Sequence, residues 1–437
     1  MMIKGWLMEK ASKLLSCKQW YCTLFKNKLS FFANEQSLYP NEIIRLDQIK
    51  HVHKIKCEPN PGFTLELKDN KEKFLFCNSQ QEIERWIGAL KPKHKEHPMG
   101  VDDFEILRLI GEGYSGKVYL SRCKINQKLY AIKAIDKYKL NSQAKASQVL
   151  SELNILMKAK HQFITHLYYA FQDCEKCYLV LEYVAGGDLR FHLENNDTFS
   201  QKQIKLWLAE IVIALKTLHK IGVIYRDLKP ENILIDVKGH IKLADFGLSK
   251  QQDANDSSFC GTVEYLSPEM LNGEEQTFSI DWWGLGILAH RLITGRLPFS
   301  CFNRRKLFEK IRYEKPNIPK TVDEVTASFI NGLLEKDPKK RLGPNITEHP
   351  YFAGIDWKKV AKMQTTPEFS PYVPNDDSVI NFSENYTSET VPSSLSSNSD
   401  ESVLDIQSFS YVDCSIPRVI SFENYSEAQT KEGLCAN

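Results

Sequence analysis

The chain has 437 residues, a net charge of +2 and 42% hydrophobic residues. This length is too great for one ordinary hydrophobic core, so we expect two or three domains. We expect neither a membrane span nor a secretion signal, because no apolar run is long enough and the amino terminus lacks an apolar core. Eleven cysteines without a repeating spacing favour reduced thiols in the cytoplasm over a disulfide framework.

The small net charge conceals an uneven distribution along the chain. Residues 1–98 carry a net +6, residues 99–364 carry +6, and residues 365–437 carry −10. A basic first segment and an acidic last segment indicate different partners for the two ends.

Residues 1–95 have the pattern of several short strands followed by one helix. The strand-like runs are 4–10, 20–25, 29–32, 63–67 and 73–77, with a hairpin around Lys26-Asn27-Lys28. In the last segment, helical spacing connects Ile83, Trp86, Ile87 and Leu90. The pattern resembles pleckstrin homology domains, which implies a β-sandwich with a C-terminal helix. A polar linker is expected at 96–103.

By this resemblance, the first domain is expected to meet anionic or phosphoinositide membranes at the end of its first hairpin. Lys10, Lys13 and Lys18 would supply the positive charge. Trp20 stands where family members that bind phosphoinositides carry Arg, and it cannot donate the paired hydrogen bonds that hold a phosphate. We therefore predict weak attraction to an anionic leaflet, about 1 kcal/mol per basic residue. A solvated basic face and a protein-docking domain are the alternatives.

Residues 225–247, YRDLKPENILIDVKGHIKLADFG, place four polar groups in one short segment. They are the carboxylates of Asp227 and Asp245, the ammonium of Lys229 and the amide of Asn232. Phosphoryl transfer needs a carboxylate to orient the attacking hydroxyl, cations near the transferred group and oxygen ligands for Mg²⁺. These residue types supply all three.

The same stretch resembles the catalytic loop and DFG segment of eukaryotic protein kinases, with Tyr225 in the position of the usual His. The resemblance implies a two-lobed α+β fold over residues 104–352. It implies that Asp227 orients a substrate hydroxyl, that Lys229 neutralises the γ-phosphate of ATP, and that Asn232 and Asp245 bind Mg²⁺. It further implies a buried Glu269–Arg341 pair and an Asp281 that braces the catalytic loop.

A glycine-rich segment precedes this stretch, with Gly111, Gly113 and Gly116 in a G-x-G-x-x-G-x-V pattern. Glycines let the backbone approach phosphates and offer them N–H groups. A dinucleotide site would have a helix next, whereas strand-like VYLSRCKI follows here. The resemblance pairs Lys133 with Glu152 and assigns adenine to the backbone of Glu182 and Val184. The full ATP-binding set that it implies is Ile110, Gly111, Glu112, Gly113, Tyr114, Ser115, Gly116, Lys117, Val118, Ala131, Lys133, Glu152, Glu182, Val184 and Asp188.

Cys174 and Cys177 form a C-x-x-C pattern that has no second pair at metal-ligand spacing. Because the polar residues lie between two apolar runs, we interpret the segment as a hairpin turn.

Four features resemble the AGC group of protein kinases. They are Tyr225, FCGT after the activation-loop phosphosite, HPYFAGIDW at 349–357 and IQSFSY at 406–411. Among AGC kinases, a pleckstrin homology domain in front and such a tail behind most resemble the protein kinase B (Akt) family. Residues 353–437 would be the AGC-type tail, and the polar stretch 383–402 is predicted to be disordered. An upstream kinase would phosphorylate Ser258 and Ser410, and ordinary hydroxyls in a polar loop are the alternative.

Asp188 and Glu231 occupy positions that in AGC kinases receive basic residues ahead of the target Ser or Thr. The alternative is that Asp188 only holds the ribose and Glu231 only caps a turn. The leading interpretation is a cytoplasmic Ser/Thr kinase recruited to the plasma membrane, and no nucleic-acid partner is expected. A catalytically inactive scaffold that binds lipid or protein is the competing hypothesis.

Overall fold

In a computed structural model of the chain, the residues described are 3–10, 17–25, 28–37, 39–55, 61–67, 71–77, 79–90, 99–113, 116–140, 142–195, 199–252, 261–392, 395, 406 and 409–413. They form two compact units, one within residues 1–98 and one within residues 99–417. Each unit has its own hydrophobic core.

The first unit is a seven-stranded antiparallel sheet closed by one helix. Its elements are β1 (Ile3–Lys10), β2 (Cys17–Phe25), β3 (Lys28–Phe32), β4 (Glu42–Arg45), β5 (Ile49–Ile55), β6 (Gly62–Leu67), β7 (Glu72–Phe76) and α1 (Gln80–Leu90). The strand order is β4-β3-β2-β1-β7-β6-β5. The hairpin predicted around Lys26-Asn27-Lys28 joins β2 to β3, where Phe25 pairs with Lys28.

The core of the first unit follows from the alternation of side chains along its strands. Leu7, Phe31 and Phe63 have no exposed surface, and they belong to the same cluster as the apolar stripe of α1. The helical spacing predicted for Ile83, Trp86, Ile87 and Leu90 is confirmed, because all four are buried. Trp86, only 2% exposed, closes the core.

The second unit begins with a small lobe built on an antiparallel sheet. Its elements are β8 (Phe104–Gly113), β9 (Gly116–Cys123), β10 (Leu129–Asp136), α2 (Gln143–Lys158), β11 (Leu167–Gln172) and β12 (Lys176–Glu182). The sequence prediction of strands on both sides of the glycines is confirmed by the β8–β9 hairpin. The Cys174–Cys177 turn is confirmed as well, because it joins the antiparallel strands β11 and β12.

The large lobe is mainly helical. Its elements are α3 (Leu189–Asn195), α4 (Gln201–Lys220), β13 (Val223–Ile224), β14 (Ile233–Ile235), β15 (Ile241–Leu243), β16 (Lys250–Gln251), α5 (Pro268–Asn272), α6 (Ser279–Thr294), α7 (Arg304–Tyr313), α8 (Glu324–Leu333) and α9 (Trp357–Ala361). Helix α6 is the buried central helix that its apolar sequence predicts. The predicted Glu269–Arg341 pair is present, with two bonds of 2.6 and 2.9 Å and almost no exposed side-chain surface.

None of the helices in the described ranges is both long enough and apolar enough to cross a membrane.

The chain after α9 runs back along both lobes. Gly187 and Gly239, both at positive φ, leave no room for a Cβ atom because the backbone of Asn381 and Phe369 lies against them. The tail continues through α10 (Glu384–Thr387) and ends, within the described ranges, in β17 (Tyr411–Val412), an added edge strand beside β11.

The prediction that residues 383–402 are disordered is wrong for residues 383–392 and for Leu395. Residues 384–387 form α10, and Tyr386 and Val391 pack against the small-lobe core, in which Leu395 is buried. A few apolar side chains are enough to order this polar stretch, because they pack against the core of the folded small lobe.

Candidate active site

The candidate site lies between the two lobes, where Lys133 of β10 meets an acid from each lobe. The Lys133 ammonium lies 2.7 Å from the Glu152 carboxylate on α2 and 2.8 Å from the Asp245 carboxylate that follows β15. Lys133 and Glu152 are almost completely buried, whereas the Asp245 side chain is 44% exposed. The predicted pairing of Lys133 with Glu152 is therefore present.

This arrangement keeps the lysine charged. Burial alone would lower the pKa of Lys133, but the carboxylates of Asp245 and Glu152 outweigh it and raise that pKa above its ordinary value. Lys133 holds the pKa of Asp245 below its usual range. Burial raises the pKa of Glu152, which the attraction of Lys133 only partly offsets. A fixed cation thus lies beside an ionised and accessible carboxylate.

The predicted catalytic loop brings Asp227, Lys229 and Asn232 together. One carboxylate oxygen of Asp227 accepts hydrogen bonds from Lys229 Nζ and Asn232 Nδ2, both at 2.7 Å. The Asn232 amide also donates to the Asp227 carbonyl at 2.9 Å. Burial raises the pKa of Asp227, while Lys229 and Asn232 act in the opposite direction.

Two residues of the candidate site have unfavourable backbone dihedral angles, one at the start of this loop and one in the segment after β15. Arg226 has φ 66° and Asp245 has φ 51°, both in the left-handed region, where a non-glycine residue costs about 1–3 kcal/mol. Asp281, buried at the start of α6, accepts from Arg226 N at 2.8 Å and from Tyr225 N at 2.9 Å. Asp281 therefore braces the loop as the resemblance implies.

Tyr225 contributes to the same support. Its ring packs edge-on against Phe246, with ring centroids 5.3 Å apart, and its hydroxyl donates to the Ala244 carbonyl. Tyr225 thereby connects the catalytic loop to the segment that carries Asp245.

The Mg²⁺ ligands that the sequence predicts fit the chemistry of that ion. The hydrogen bonds that Asp245 accepts from Lys133 Nζ and Gly247 N both reach Oδ1, and the bonds of Asn232 to Asp227 use its amide nitrogen. One oxygen of each residue therefore remains for a hard cation. Across the described ranges, no group of three or more His, Cys, Asp or Glu side chains is arranged to hold a metal ion by itself.

Strands β8, β9 and β10 also contribute to an apolar patch. Ile110, Leu120, Ala131 and Phe382 form its buried cluster, and Val118 packs against it. In the glycine-rich hairpin, Gly111 pairs with Val118 and Gly113 with Gly116. The predicted residues Tyr114 and Ser115 lie outside the described residues.

Phe382, which comes from the tail, belongs to this apolar cluster, and the sequence did not predict it. It stacks on Tyr183 with ring centroids 5.9 Å apart. An aromatic residue ahead of a polar stretch was the available signal, but nothing local shows that it returns to the small lobe.

The residues after β12 and the β8–β9 hairpin also make polar contacts. The Glu182 amide donates to the His166 carbonyl, and the Val184 carbonyl accepts from Gly187 N. The Lys117 ammonium lies 3.1 Å from Glu389 of the tail and 3.8 Å from Glu112. The Lys117 side chain therefore pairs with acids in this structure.

Asp188 and Glu231 both lie beside α3. Asp188 Oδ1 accepts from Phe191 N at 2.9 Å and so caps the first turn of that helix, while burial raises its pKa to about 6. Glu231 Oε1 accepts from Arg190 at 3.2 Å. Glu231 Oε2 is buried and has no hydrogen-bond donor among the described residues.

Ser258, the predicted phosphosite, lies outside the described residues. Arg226 donates to the Leu248 carbonyl at 2.6 Å and to Gln276 at 3.0 Å. Gln148 on α2 donates to the Gly247 carbonyl at 2.5 Å, which links α2 directly to the segment after Asp245.

The basic residues predicted to meet lipid are not gathered on one face of the first unit. Lys18 pairs with Glu9 and Lys10 with Cys17 across β1 and β2, so the two lysines start on opposite faces of the sheet. Trp20 Nε1 donates to Glu9 at 2.7 Å, and Lys18 lies over the Trp20 ring. The Glu9 carboxylate is thus the group next to Trp20, and Lys13 lies outside the described residues.

The raised pKa of Asp188 predicts a pH-dependent stability. The native state holds the Asp188 proton more tightly than the unfolded state does, so its contribution to the free energy of unfolding falls as pH rises from 3.8 to about 6. Asp188→Asn keeps the cap and removes the buried charge. Its free energy of unfolding relative to wild type should rise between about pH 4 and about pH 7, by on the order of 2 kcal/mol.

Urea unfolding at both pH values checks this expectation. Asp323→Asn is the matched control, because Asp323 also caps a helix, α8, but is exposed and has a lowered pKa. Its difference from wild type should change with pH in the opposite direction. An equal change for both variants would contradict the assignment.

Comparison with known proteins agrees with this geometry. The protein kinase domain model matches residues 104–352, and the PH domain model matches residues 1–95. A RAC family serine/threonine-protein kinase homolog of Dictyostelium discoideum is 36% identical over 389 residues, covering 85% of this chain and 87% of that protein. RAC-beta serine/threonine-protein kinase A of Xenopus laevis is 39% identical over 307 residues, covering 68% and 63%.

A third relative, serine/threonine-protein kinase gad8 of Schizosaccharomyces pombe, is 39% identical over 310 residues, covering 69% of this chain and 54% of that protein. The kinase model matches more than half of the chain, and the Dictyostelium relative matches both units. The chain therefore belongs to the protein kinase family, as a serine/threonine kinase of the AGC type with an N-terminal PH domain.

Proposed function

We propose that this kinase transfers the γ-phosphate of ATP to Ser or Thr hydroxyls of proteins whose target is preceded by basic residues, with Asp227, Lys229, Asn232, Asp245 and Lys133 as the reacting site. Protein kinase domains use ATP, generally with Mg²⁺. The observation that carries the assignment is the meeting of Lys133, Glu152 and Asp245 within 2.8 Å, beside the bonded Asp227 loop.

The residues divide the work between binding and positioning. Lys133, fixed by Glu152, binds the α- and β-phosphates, and Lys229 faces the transferred group. Asp227 accepts the hydrogen bond of the substrate hydroxyl and so aligns it with the phosphorus atom. Mg²⁺, held by Asp245 and Asn232, would supply positive charge between the phosphates.

Replacement of Asp227 tests the reaction. Asp227→Asn keeps the size of the side chain but removes the negative acceptor, so kcat should fall by about 10²–10⁴-fold while nucleotide affinity changes little. Transfer of labelled γ-phosphate to a basic peptide measures kcat, and nucleotide titration measures affinity. Asp323→Asn on α8 is the control and should keep full activity, because that side chain is exposed. Wild-type turnover by Asp227→Asn would reject the assignment.

The preference for basic substrates is supported by Glu231. A buried carboxylate oxygen without a donor is costly, and a guanidinium from a substrate would satisfy it. Asp188 places a second carboxylate near the same helix. We propose that these two acids accept an Arg that lies three residues before the target hydroxyl.

Glu231→Gln tests this specificity. The KM for a peptide with Arg at that position should rise by about 10- to 100-fold, whereas kcat should change little. Glu194→Gln is the matched control, because Glu194 also binds Arg190, at 2.7 Å, but is exposed. A peptide without Arg should show no difference among wild type and the two variants. An equal KM increase for both variants would instead indicate that Arg190 itself is responsible.

We further propose that the PH domain recruits the kinase to the anionic cytoplasmic face of the plasma membrane through weak, salt-sensitive attraction. The basic charge of residues 1–98 supports attraction, and Trp20, which cannot donate paired hydrogen bonds to a phosphate, disfavours tight capture of one phosphoinositide headgroup. Phosphorylation of Ser258 and Ser410 by an upstream kinase is part of the same proposal.

Vesicle sedimentation tests the recruitment. Replacing both Lys10 and Lys18 by Ala should reduce binding to vesicles that contain anionic lipid several-fold per lysine, at about 1 kcal/mol each. Replacing both Lys50 and Lys54 removes the same charge from lysines that are already paired with Glu66 and Glu84, so it should have a smaller effect. Vesicle binding that does not change with salt concentration or in either double variant would contradict recruitment by charge.

A further inference from the structure

We propose that Asp413 is a positioning residue for phosphoryl transfer, which anchors the tail to the base of α2 and so holds Glu152 against Lys133. The proposal rests on the kinase reaction described above. It assigns a role to a carboxylate that lies three residues after the tail phosphosite and is present without any modification.

Asp413 is buried and bonded as a structural anchor. Its residue is 1% exposed, and its amide donates to the Tyr168 carbonyl at 2.9 Å. One carboxylate oxygen meets His166 Nε2, and the other lies 3.4 Å from Lys160 Nζ. A buried carboxylate needs such partners, since it would otherwise be a costly unpaired charge.

The anchor closes one end of a tail segment that is fixed at both ends. Immediately before Asp413, β17 pairs with β11, with Val412 opposite Tyr169 and Tyr411 opposite Ala170. At the other end, the Gln172 side chain donates to the Ile406 carbonyl at 2.8 Å and accepts from its amide at 3.1 Å. The side chain of Ile406, at one fixed end, and that of Phe409, inside the segment, are both buried.

The partners of Asp413 are the residues that connect α2 to β11. Lys160 lies two residues beyond the end of α2, and His166 directly precedes β11. Ile406 and Phe409 belong to the same buried cluster as Val149 and Leu153 of α2. Glu152 lies between these two α2 residues in sequence. Tail and helix therefore share one core, and the Asp413 contacts fix the tail at the end of that helix.

This arrangement gives Asp413 a part distinct from that of Ser410. The Ser410 side chain is exposed, so a phosphate there would add its charge at the surface. The Asp413 charge is already buried and paired. We therefore expect part of the tail docking, and part of the activity that depends on it, to persist when Ser410 carries no phosphate.

Asp413→Asn in the full chain tests the anchor, because it keeps the size and the backbone amide but removes the charge. We expect kcat to fall by about tenfold, with the KM for a basic peptide unchanged, because the substrate site is not touched. Asp377→Asn is the matched control. Asp377 is also a tail carboxylate and binds Arg122 at 2.8 Å, but both side chains are at least one third exposed, so this variant should keep wild-type kcat.

Hydrogen exchange separates positioning from general damage. In Asp413→Asn, the amides of Tyr411 to Asp413 should exchange at least tenfold faster than in wild type, while those of α4 and α6 stay protected. A double-mutant cycle of Asp413→Asn with His166→Gln should show coupling. The double variant should lose less kcat than the product of the two single losses. Ser410→Ala should keep more activity than the Ser410→Ala, Asp413→Asn double variant.

Wild-type kcat in Asp413→Asn, or a loss of kcat without faster exchange of the tail, would overturn the proposal. A kinase without any transfer activity would instead refute the proposed function, and the exchange measurement would still report whether Asp413 anchors the tail.

Discussion

The arrangement of the second unit depends on one buried lysine, Lys133, and the two carboxylates that pair with it. Lys133 can remain charged in the interior only because Glu152 and Asp245 lie within 2.8 Å of its ammonium. Each of the three side chains comes from a different element: β10, α2 and the segment after β15. Because a buried charge that loses its partner costs several kcal/mol, a movement of α2 or of the Asp245 segment would directly destabilise the charge of Lys133. The position of α2 in the small lobe therefore determines whether Glu152 reaches Lys133.

In the large lobe, the main constraint is that two residues have unfavourable backbone conformations. Arg226 and Asp245 both have positive φ, and such residues persist only where their surroundings determine them strongly. Asp281 binds two successive loop amides, and Tyr225 connects the loop to Ala244. The loop is thus held by Asp281 and Tyr225, which explains how one loop can orient Asp227, Lys229 and Asn232 together.

The tail joins these two lobes. It passes over Gly187 and Gly239, which have no side chain to obstruct it, places Phe382 in an apolar cluster with small-lobe residues and, in its described part, reaches the small-lobe sheet. Its acidic residues meet basic residues of the small lobe at Lys117, Arg122 and Lys160. The contrast in charge between the tail and the preceding segments therefore has a local explanation within the second unit, in addition to any partner outside the chain.

Residue order alone determined the family and the two domain types, and it predicted which acids, cations and amide lie together in the candidate site, because those groups lie in short segments whose spacing reflects their chemistry. It also indicated the helix of the first unit and the hairpins of the small lobe, where apolar periodicity is a local property. Only the tertiary structure decided that Phe382 joins the apolar cluster of the small lobe, that residues 383–392 pack, that Lys10 and Lys18 start on opposite faces, and that Asp413 is buried against His166. Each of these depends on a contact between residues far apart in the sequence or on the register of paired strands. No local pattern encodes such a contact, because its free energy comes from a surface that exists only after folding.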